Sequence, residues 1–176
     1  MVSPGGETTV SPTANRTGTT IRSAHVQDLD ALEAFIMGYG SDGTLLPRSR
    51  SNLLHYMRDF RVAVDTKGRL IGCGALQLVN DGLAELRSIA VDPAWRGSGI
   101  GSDIVRALLD DAQRMGIARV FCLTRRLSFF SRLGFVPVPM ERFPEKVWND
   151  CRLCPRRDSC DETAMEKALM DPAGSR

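Results

Sequence analysis

Apolar and polar positions divide most of the chain into elements. From Asp28, a good N-cap, Leu29, Leu32, Phe35 and Ile36 recur at helical spacing, and the helix they predict ends near Gly38–Gly40. Thr20–Ser23, ahead of it, is a short first strand. Ser49 caps a second predicted helix with Leu53, Leu54 and Met57 on one face. Phe60, Val62 and Val64 alternate with Arg61 and Ala63, which predicts a strand. The turn Asp65-Thr66-Lys67-Gly68 then leads into a longer β run, Leu70–Val79. Asn80-Asp81-Gly82 is a hairpin signal and Leu83–Val91 its partner strand, stopped by Asp92-Pro93. From Gly99, the positions Ile100, Ile104, Val105, Leu108, Leu109, Ala112 and Met115 form one apolar helical face, closed by Gly116. Ala118–Leu123 reads as a buried strand, Leu127–Leu133 as a short helix ended by Gly134, and Phe135–Val138 as a strand. Pro139–Asp161 is irregular. Periodicity leaves Thr163–Leu169 open between a strand and a short helix. No internal repeat is present, and the whole is an α/β (α+β) chain.

Composition narrows the class. The Ser/Thr/Gly/Pro-rich segment 1–18 cannot bury apolar surface and is expected to be a disordered tail, and 171–176 is read as a C-terminal tail. Residues 19–170 are then one domain. A 43% apolar and 25% charged composition is that of a soluble globular protein. A net charge of +2 argues against nucleic acid held by bulk electrostatics. There is no apolar run of membrane-spanning length and no signal-peptide core, so the expected location is cytoplasmic, with no membrane partner.

The five cysteines are an odd number without a disulfide framework. Cys73 and Cys122 lie in apolar strand-like runs and read as core residues. Cys151-x-x-Cys154-x5-Cys160 contains a zinc half-site. A closed zinc site wants four ligands, however, and both histidines, His25 and His55, lie far upstream. Asp150, Asp158 and Asp161 are the available oxygens. Thiols are the expected state of the cluster, with zinc or a redox-labile disulfide the less favoured alternatives.

The candidate chemistry sits in Arg96-Gly97-Ser98-Gly99-Ile100-Gly101, a glycine-rich turn between a predicted strand and a predicted helix. Such a turn aims backbone N–H groups outward at the positive end of the helix dipole, which makes an anion site. A P-loop is excluded, because Gly101 is followed by Ser102-Asp103 rather than Lys-Ser/Thr. A dinucleotide fingerprint is also excluded. Counting from Gly97 or from Gly99 puts Ser102 or Ile104 where its last glycine belongs, and the preceding chain is a hairpin rather than a βαβ unit.

Leu86-Arg-Ser-Ile-Ala-Val-Asp-Pro-Ala-Trp-Arg-Gly-Ser-Gly-Ile-Gly101 resembles the acetyl-coenzyme A motif of the GNAT superfamily of N-acetyltransferases. Phe129-Phe-Ser-Arg-Leu-Gly-Phe135 resembles that superfamily's helix-to-strand signature. Within the superfamily, Thr44-Leu-Leu-Pro-Arg-Ser49, Asp59-Phe60 and Phe143-Pro-Glu-Lys-Val-Trp-Asn-Asp-Cys151 are similar to the short N-acetylglutamate synthases of arginine biosynthesis. The resemblance implies a mixed, mostly antiparallel central sheet flanked by helices, with Thr163–Leu169 as its last strand. It also implies acetyl-CoA as co-substrate, a small-molecule amine acceptor (foremost the α-amino group of glutamate), and the homodimers common in the family.

The resemblance further assigns roles. The backbone of Ile89, Ala90 and Val91 would bind the pantetheine arm or acyl carbonyl. The N–H groups of Gly97, Ser98, Gly99, Ile100 and Gly101, with Arg96 and Ser102, would hold the pyrophosphate. Glu85 is the candidate general base, because the acceptor amine must lose a proton. Period-2 alternation puts Glu85, Arg87 and Ile89 on one face. Arg87, and Arg48 with Ser49 in the acceptor-side loop, are candidates for clamping the carboxylates of an amino acid. One position departs from the superfamily pattern: where many members carry a tyrosine as general acid stands Phe130, and neither Tyr39 nor Tyr56 is near it in sequence. An acetyltransferase for another amine, and a non-catalytic CoA-binding sensor, are the rival readings.

Overall fold

The structure is a computed structural model, and it describes residues 13–14, 18–40, 45, 48–144, 151–154 and 157–169. Among them are eight strands: β1 (Thr13–Ala14), β2 (Thr20–Ser23), β3 (Phe60–Val64), β4 (Leu70–Leu78), β5 (Leu83–Val91), β6 (Arg119–Thr124), β7 (Val136–Pro137) and β8 (Thr163–Ala168). Four α-helices accompany them: α1 (Leu29–Gly40), α2 (Arg50–His55), α3 (Ile100–Arg114) and α4 (Leu127–Ser131). The strands form one sheet in the order β1-β2-β3-β4-β5-β6-β8-β7. Every neighbouring pair is antiparallel except β5 and β6, which are parallel. That parallel step is where the hairpin run ends and α3 crosses over, since parallel strands need a long connection.

Each face of the sheet has its own core. The apolar stripe of α3 (Ile100, Ile104, Val105, Leu108, Leu109, Ala112) is buried on one face against Ile71, Leu76, Ala84 and Leu86. On the other face, Leu29, Leu32 and Ile36 of α1 and Leu53 of α2 cover Val62, Cys73 and Ala75. A third, smaller cluster pairs Phe121 of β6 with Phe143, their rings stacked 3.9 Å apart. A fork-to-fork ion pair ties α3 to the sheet: Arg61 donates to Asp111 at 2.6 and 2.5 Å.

Several expectations change in detail. Thr163–Ala168 is a strand, antiparallel to β6 from Arg119↔Ala168 to Thr124↔Thr163. Thr13–Ala14, inside the segment read as a tail, pairs with Ile21 and Thr20 and adds a two-residue edge. Leu54 does not share the buried face of Leu53 and Met57. It is 50% exposed, because α2 ends at His55 and Met57 reaches the core from a separate 3-10 turn, Met57–Asp59. Met115 is likewise exposed, as the C-cap beyond α3 rather than part of its stripe. Residues 1–12, 41–44, 145–150 and 171–176 lie outside the described residues, and with them most of both expected tails, part of the acceptor-side loop, and Asp150.

Candidate functional site

The site is built where β5 leaves its neighbours. The parallel pairing of β5 with β6 runs only over Leu83↔Arg119, Ala84↔Val120 and Glu85↔Phe121. β5 nevertheless continues to Val91 and β6 to Thr124. Beyond Glu85 the two strands therefore cease to pair, and the edge of β5 is released from β6.

On its other side β5 carries a bulge. Ala75 pairs with Arg87 and Cys73 with Ala90, so Ser88 and Ile89 together stand opposite Gly74. Ser88 takes the left-handed conformation, φ +53°. A β-carbon at Gly74 would lie 2.5 Å from Ile89 Cδ1, so the Ile89 side chain occupies the space that glycine leaves. The Cys73 thiol donates to the Ser88 carbonyl at 3.4 Å.

The bulge overturns the expected alternation. Ala84 and Leu86 face α3, so Glu85 and Arg87 face α1 and α2. The extra residue then shifts the phase, and Ile89 and Val91 pack with the α3 core. Ile89 is thus on the opposite face from Glu85 and Arg87, and Ala90, the partner of Cys73, is buried on the α1 side.

Glu85 is 5% exposed, one of four buried polar residues in the described chain. Its carboxylate lies 3.7 Å from Arg87 Nε. Arg87 donates from Nη1 to Gln77 Oε1 at 2.6 Å, across the β4–β5 hairpin. Arg48 arrives from a distant part of the chain: its Nε donates to Ser88 Oγ at 3.1 Å and its Nη1 to Asn52 Oδ1 at 3.0 Å. The structure therefore brings Glu85, Arg87 and Arg48 to the same side of β5. Ser49 is exposed and serves as a cap, with Oγ accepting the Asn52 N–H at 3.2 Å.

The glycine turn follows directly. Asp92 caps a 3-10 turn, Pro93–Trp95, by accepting the Ala94 N–H at 2.9 Å. Gly97 (φ +82°) and Gly99 (φ +93°) are left-handed, which a side chain would disfavour. The first N–H of α3 to find its helical partner is that of Asp103, bonded to the Gly99 carbonyl at 3.1 Å. The N–H groups of Ile100, Gly101 and Ser102 precede it and face the end of the helix. Ile100 has a fully buried side chain and can offer only its backbone. The Ser98 hydroxyl donates to the Trp95 carbonyl at 2.6 Å and braces the turn.

Tyr39, at the end of α1, closes this region from above. Its hydroxyl donates to the Val91 carbonyl at 2.6 Å. Burial pushes its pKa up, against the opposing pull of the Arg96 guanidinium. Tyr39 and Arg96 line a cavity of about 400 Å³ with Ala34, Phe35, Gly38, Asp92 and Pro93. Phe130 is a core residue, 5% exposed and edge-on to Phe135.

None of the five cysteines is in a disulfide. Cys73 and Cys122 are buried, and burial drives both pKa values up, that of Cys73 to about 12. Cys151 and Cys154 form a tight turn, with the Cys154 N–H bonded to the Cys151 carbonyl at 3.1 Å. Among the described residues no three His, Cys, Asp or Glu side chains gather as a metal site. No described helix is long and apolar enough to cross a membrane.

A model of the acetyltransferase (GNAT) family matches residues 29–135, the stretch from α1 through the glycine turn to the helix-to-strand signature. The chain belongs to the GNAT acetyltransferase family. It is 41% identical over 151 residues to an uncharacterised N-acetyltransferase of Chlorobaculum tepidum, covering 86% of this chain and 97% of that one. It is 38% identical over 132 residues to the amino-acid acetyltransferase of Mycobacterium tuberculosis, covering 71% and 75%. Among solved structures, the N-acetylglutamate synthase of Neisseria gonorrhoeae, complexed with coenzyme A and N-acetyl-glutamate, superposes with a TM-score of 0.77 at 28% identity. That match covers 87% of this chain but 35% of the longer synthase. A Mycobacterium tuberculosis protein in complex with CoA superposes with a TM-score of 0.72 at 32% identity, over 85% of this chain and 99% of that one.

Within this GNAT domain, the residues that sequence reasoning missed are Ser88, Asn52, Gln77 and Tyr39. Tyr39 reaches Val91 across 52 positions, and no local pattern marks that contact. Ser88 carries no signal either, since a left-handed serine looks like any strand residue.

Proposed function

We propose that the chain transfers the acetyl group of acetyl-CoA to the α-amino group of an amino acid, with L-glutamate as the acceptor. The observation that carries the reading is the convergence of Arg48 and Arg87 on the face of β5 that holds the buried Glu85. A glutamate acceptor brings two carboxylates, and planar guanidinium forks suit both. The amino-acid acetyltransferase name of the Mycobacterium relative and the N-acetyl-glutamate bound to the Neisseria synthase support the same acceptor class.

In this reading the thioester lies along the released edge of β5, with the pyrophosphate on the N–H groups of the glycine turn and on Arg96. Glu85 takes the proton from the acceptor ammonium, directly or through a water. The neutral amine attacks the thioester carbonyl, the tetrahedral intermediate collapses with cleavage of the C–S bond, and the proton still carried by the attacking nitrogen passes, directly or through water, to the departing CoA thiolate, leaving a neutral amide. No covalent enzyme intermediate is required, and the buried Cys73 and Cys122 play no part as nucleophiles. The acceptor-side forks fix the amine in line with the carbonyl, and such orientation lowers the barrier by sparing translational and rotational entropy.

The test is thiol release from acetyl-CoA against a panel of amino acids and simple amines. The reading expects turnover with glutamate, a sharp loss with its side-chain amide, and none with a polyamine. Arg48→Ala and Arg87→Ala should each raise KM for glutamate while leaving KM for acetyl-CoA in place. Phe130, apolar where many relatives carry an acid, is the feature on which a non-catalytic CoA sensor rests; acetyl-CoA binding with no turnover on any amine would select that reading instead.

A further inference from the structure

Ser88 is the one non-glycine residue with a left-handed backbone among the described residues. The bulge alone does not call for serine. Glycine takes φ +53° without a steric penalty, whereas a side chain crowds the following carbonyl. A residue kept in an unfavourable conformation points to work done by its side chain.

That side chain has a specific partner. Ser88 Oγ accepts the Arg48 Nε–H at 3.1 Å, from a residue 40 positions earlier. Arg48 Nη1 donates to Asn52 Oδ1 at 3.0 Å, and the Asn52 N–H is in turn held by the Ser49 cap. Two side chains on two different elements thus fix the plane of one guanidinium. The carbonyl of the same serine is held by the Cys73 thiol at 3.4 Å, so the bulge that carries it is anchored from β4.

We infer that Ser88 is a positioning residue for the acceptor: its hydroxyl orients Arg48 against the donor strand, so that an amino-acid carboxylate meets a fork already aimed. The inference rests on the proposed acceptor class. Its physical basis is preorganisation: a guanidinium held before the ligand arrives loses less freedom on binding. The bulge then has two outputs. Its backbone sets the course of the donor strand, and its side chain sets the acceptor clamp, so the distance between the two is fixed by a single residue.

Ser88→Gly separates these outputs, because it removes the hydroxyl while relieving the backbone. The expected result is a KM for the amino acid raised about tenfold, the size of one hydrogen bond to a charged group. KM for acetyl-CoA and the melting temperature should stay at or near the wild-type values. Ser88→Asn, which tolerates left-handed backbone and returns an oxygen acceptor, should recover part of the loss. Combining Ser88→Gly with Arg48→Lys should cost no more than Arg48→Lys alone, because both act through one interaction. An unchanged amino-acid KM in Ser88→Gly overturns the inference, and so does an equal rise in both KM values, which would make Ser88 a residue of the bulge only. A wild type that turns over no amino acid rejects the acceptor reading itself, and that is seen before any variant is made.

Discussion

Gly74→Ala tests the link between the bulge and the donor strand without touching a polar group. A β-carbon there would lie 2.5 Å from Ile89 Cδ1, 2.9 Å from Ile104 Cγ2 and 3.1 Å from Leu108 Cδ1. Ile104 and Leu108 are 0% and 1% exposed, at the centre of the α3 core, and the Ile104 branch is stiff about χ1 in a helix. The flexible end of Ile89 is the atom that must yield. Overpacking of this kind costs about 1–3 kcal/mol. For a chain of this size each kcal/mol lowers the melting temperature by about 2–4 °C, so a fall of about 2–12 °C is expected. Displacing Ile89 also shifts the edge of β5 along which the thioester is proposed to lie, so the affinity for acetyl-CoA should fall as well. Thermal melts and calorimetric titration of CoA read the two effects. Gly82→Ala is the control, because nothing lies within 4 Å of its β-carbon and its φ is ordinary. A Gly74→Ala protein with wild-type melting temperature and CoA affinity would refute the claim that Ile89 fills the place of a side chain at Gly74.

Tyr39→Phe removes the hydroxyl that bonds the Val91 carbonyl and interacts with Arg96; KM for acetyl-CoA should rise several-fold with little change in KM for the acceptor, read from initial rates with each substrate varied. Asp28 is held below its usual 3.8 first by the Arg22 fork and then by the His25 N–H, so its ionised form favours the folded state; that stability is complete above about 3.8 and is lost as pH falls through the depressed value. Asp28→Asn should therefore flatten the acid limb of urea midpoints taken between about pH 2.5 and 5, and leave the neutral side level. Iodoacetamide on the native protein should label Cys160 fastest and leave Cys73 and Cys122 unlabelled until the chain is denatured, by mass spectrometry of digests, because burial keeps those two thiols protonated and inaccessible.

What the sequence carries and what it lacks divides along a physical line. Elements with strong periodicity are legible: the stripe from Ile100 to Ala112, the Asn80-Asp81-Gly82 hairpin and the Ser49 cap all stand where residue spacing puts them. So is the glycine turn, because left-handed positions at Gly97 and Gly99 need a particular residue type. The bulge is not legible. It inserts one residue into a strand whose sequence alternates plausibly without it, and so it moved Ile89 to the wrong face. Leu54 failed for a related reason, since a helix two turns long stops before its apparent stripe is complete. The candidate site rests on contacts between residues 40 and 52 positions apart, Arg48 with Ser88 on the proposed acceptor side and Tyr39 with Val91 on the proposed donor side, and pair contacts at such separation leave no local pattern. Arg48 is marked in the sequence only by the resemblance of its loop, whereas its bonds to Ser88 and Asn52 exist only in the fold.

The central claim is acetyl transfer to the amine of an acidic amino acid, with Glu85 as base. The most direct measurement incubates the protein with acetyl-CoA and L-glutamate and quantifies both products by mass spectrometry. N-acetylglutamate and CoA in equal amounts, with the rate falling by at least about a hundredfold in Glu85→Gln, is the predicted result. CoA released without acetylated glutamate, or equal rates in wild type and Glu85→Gln, would contradict it.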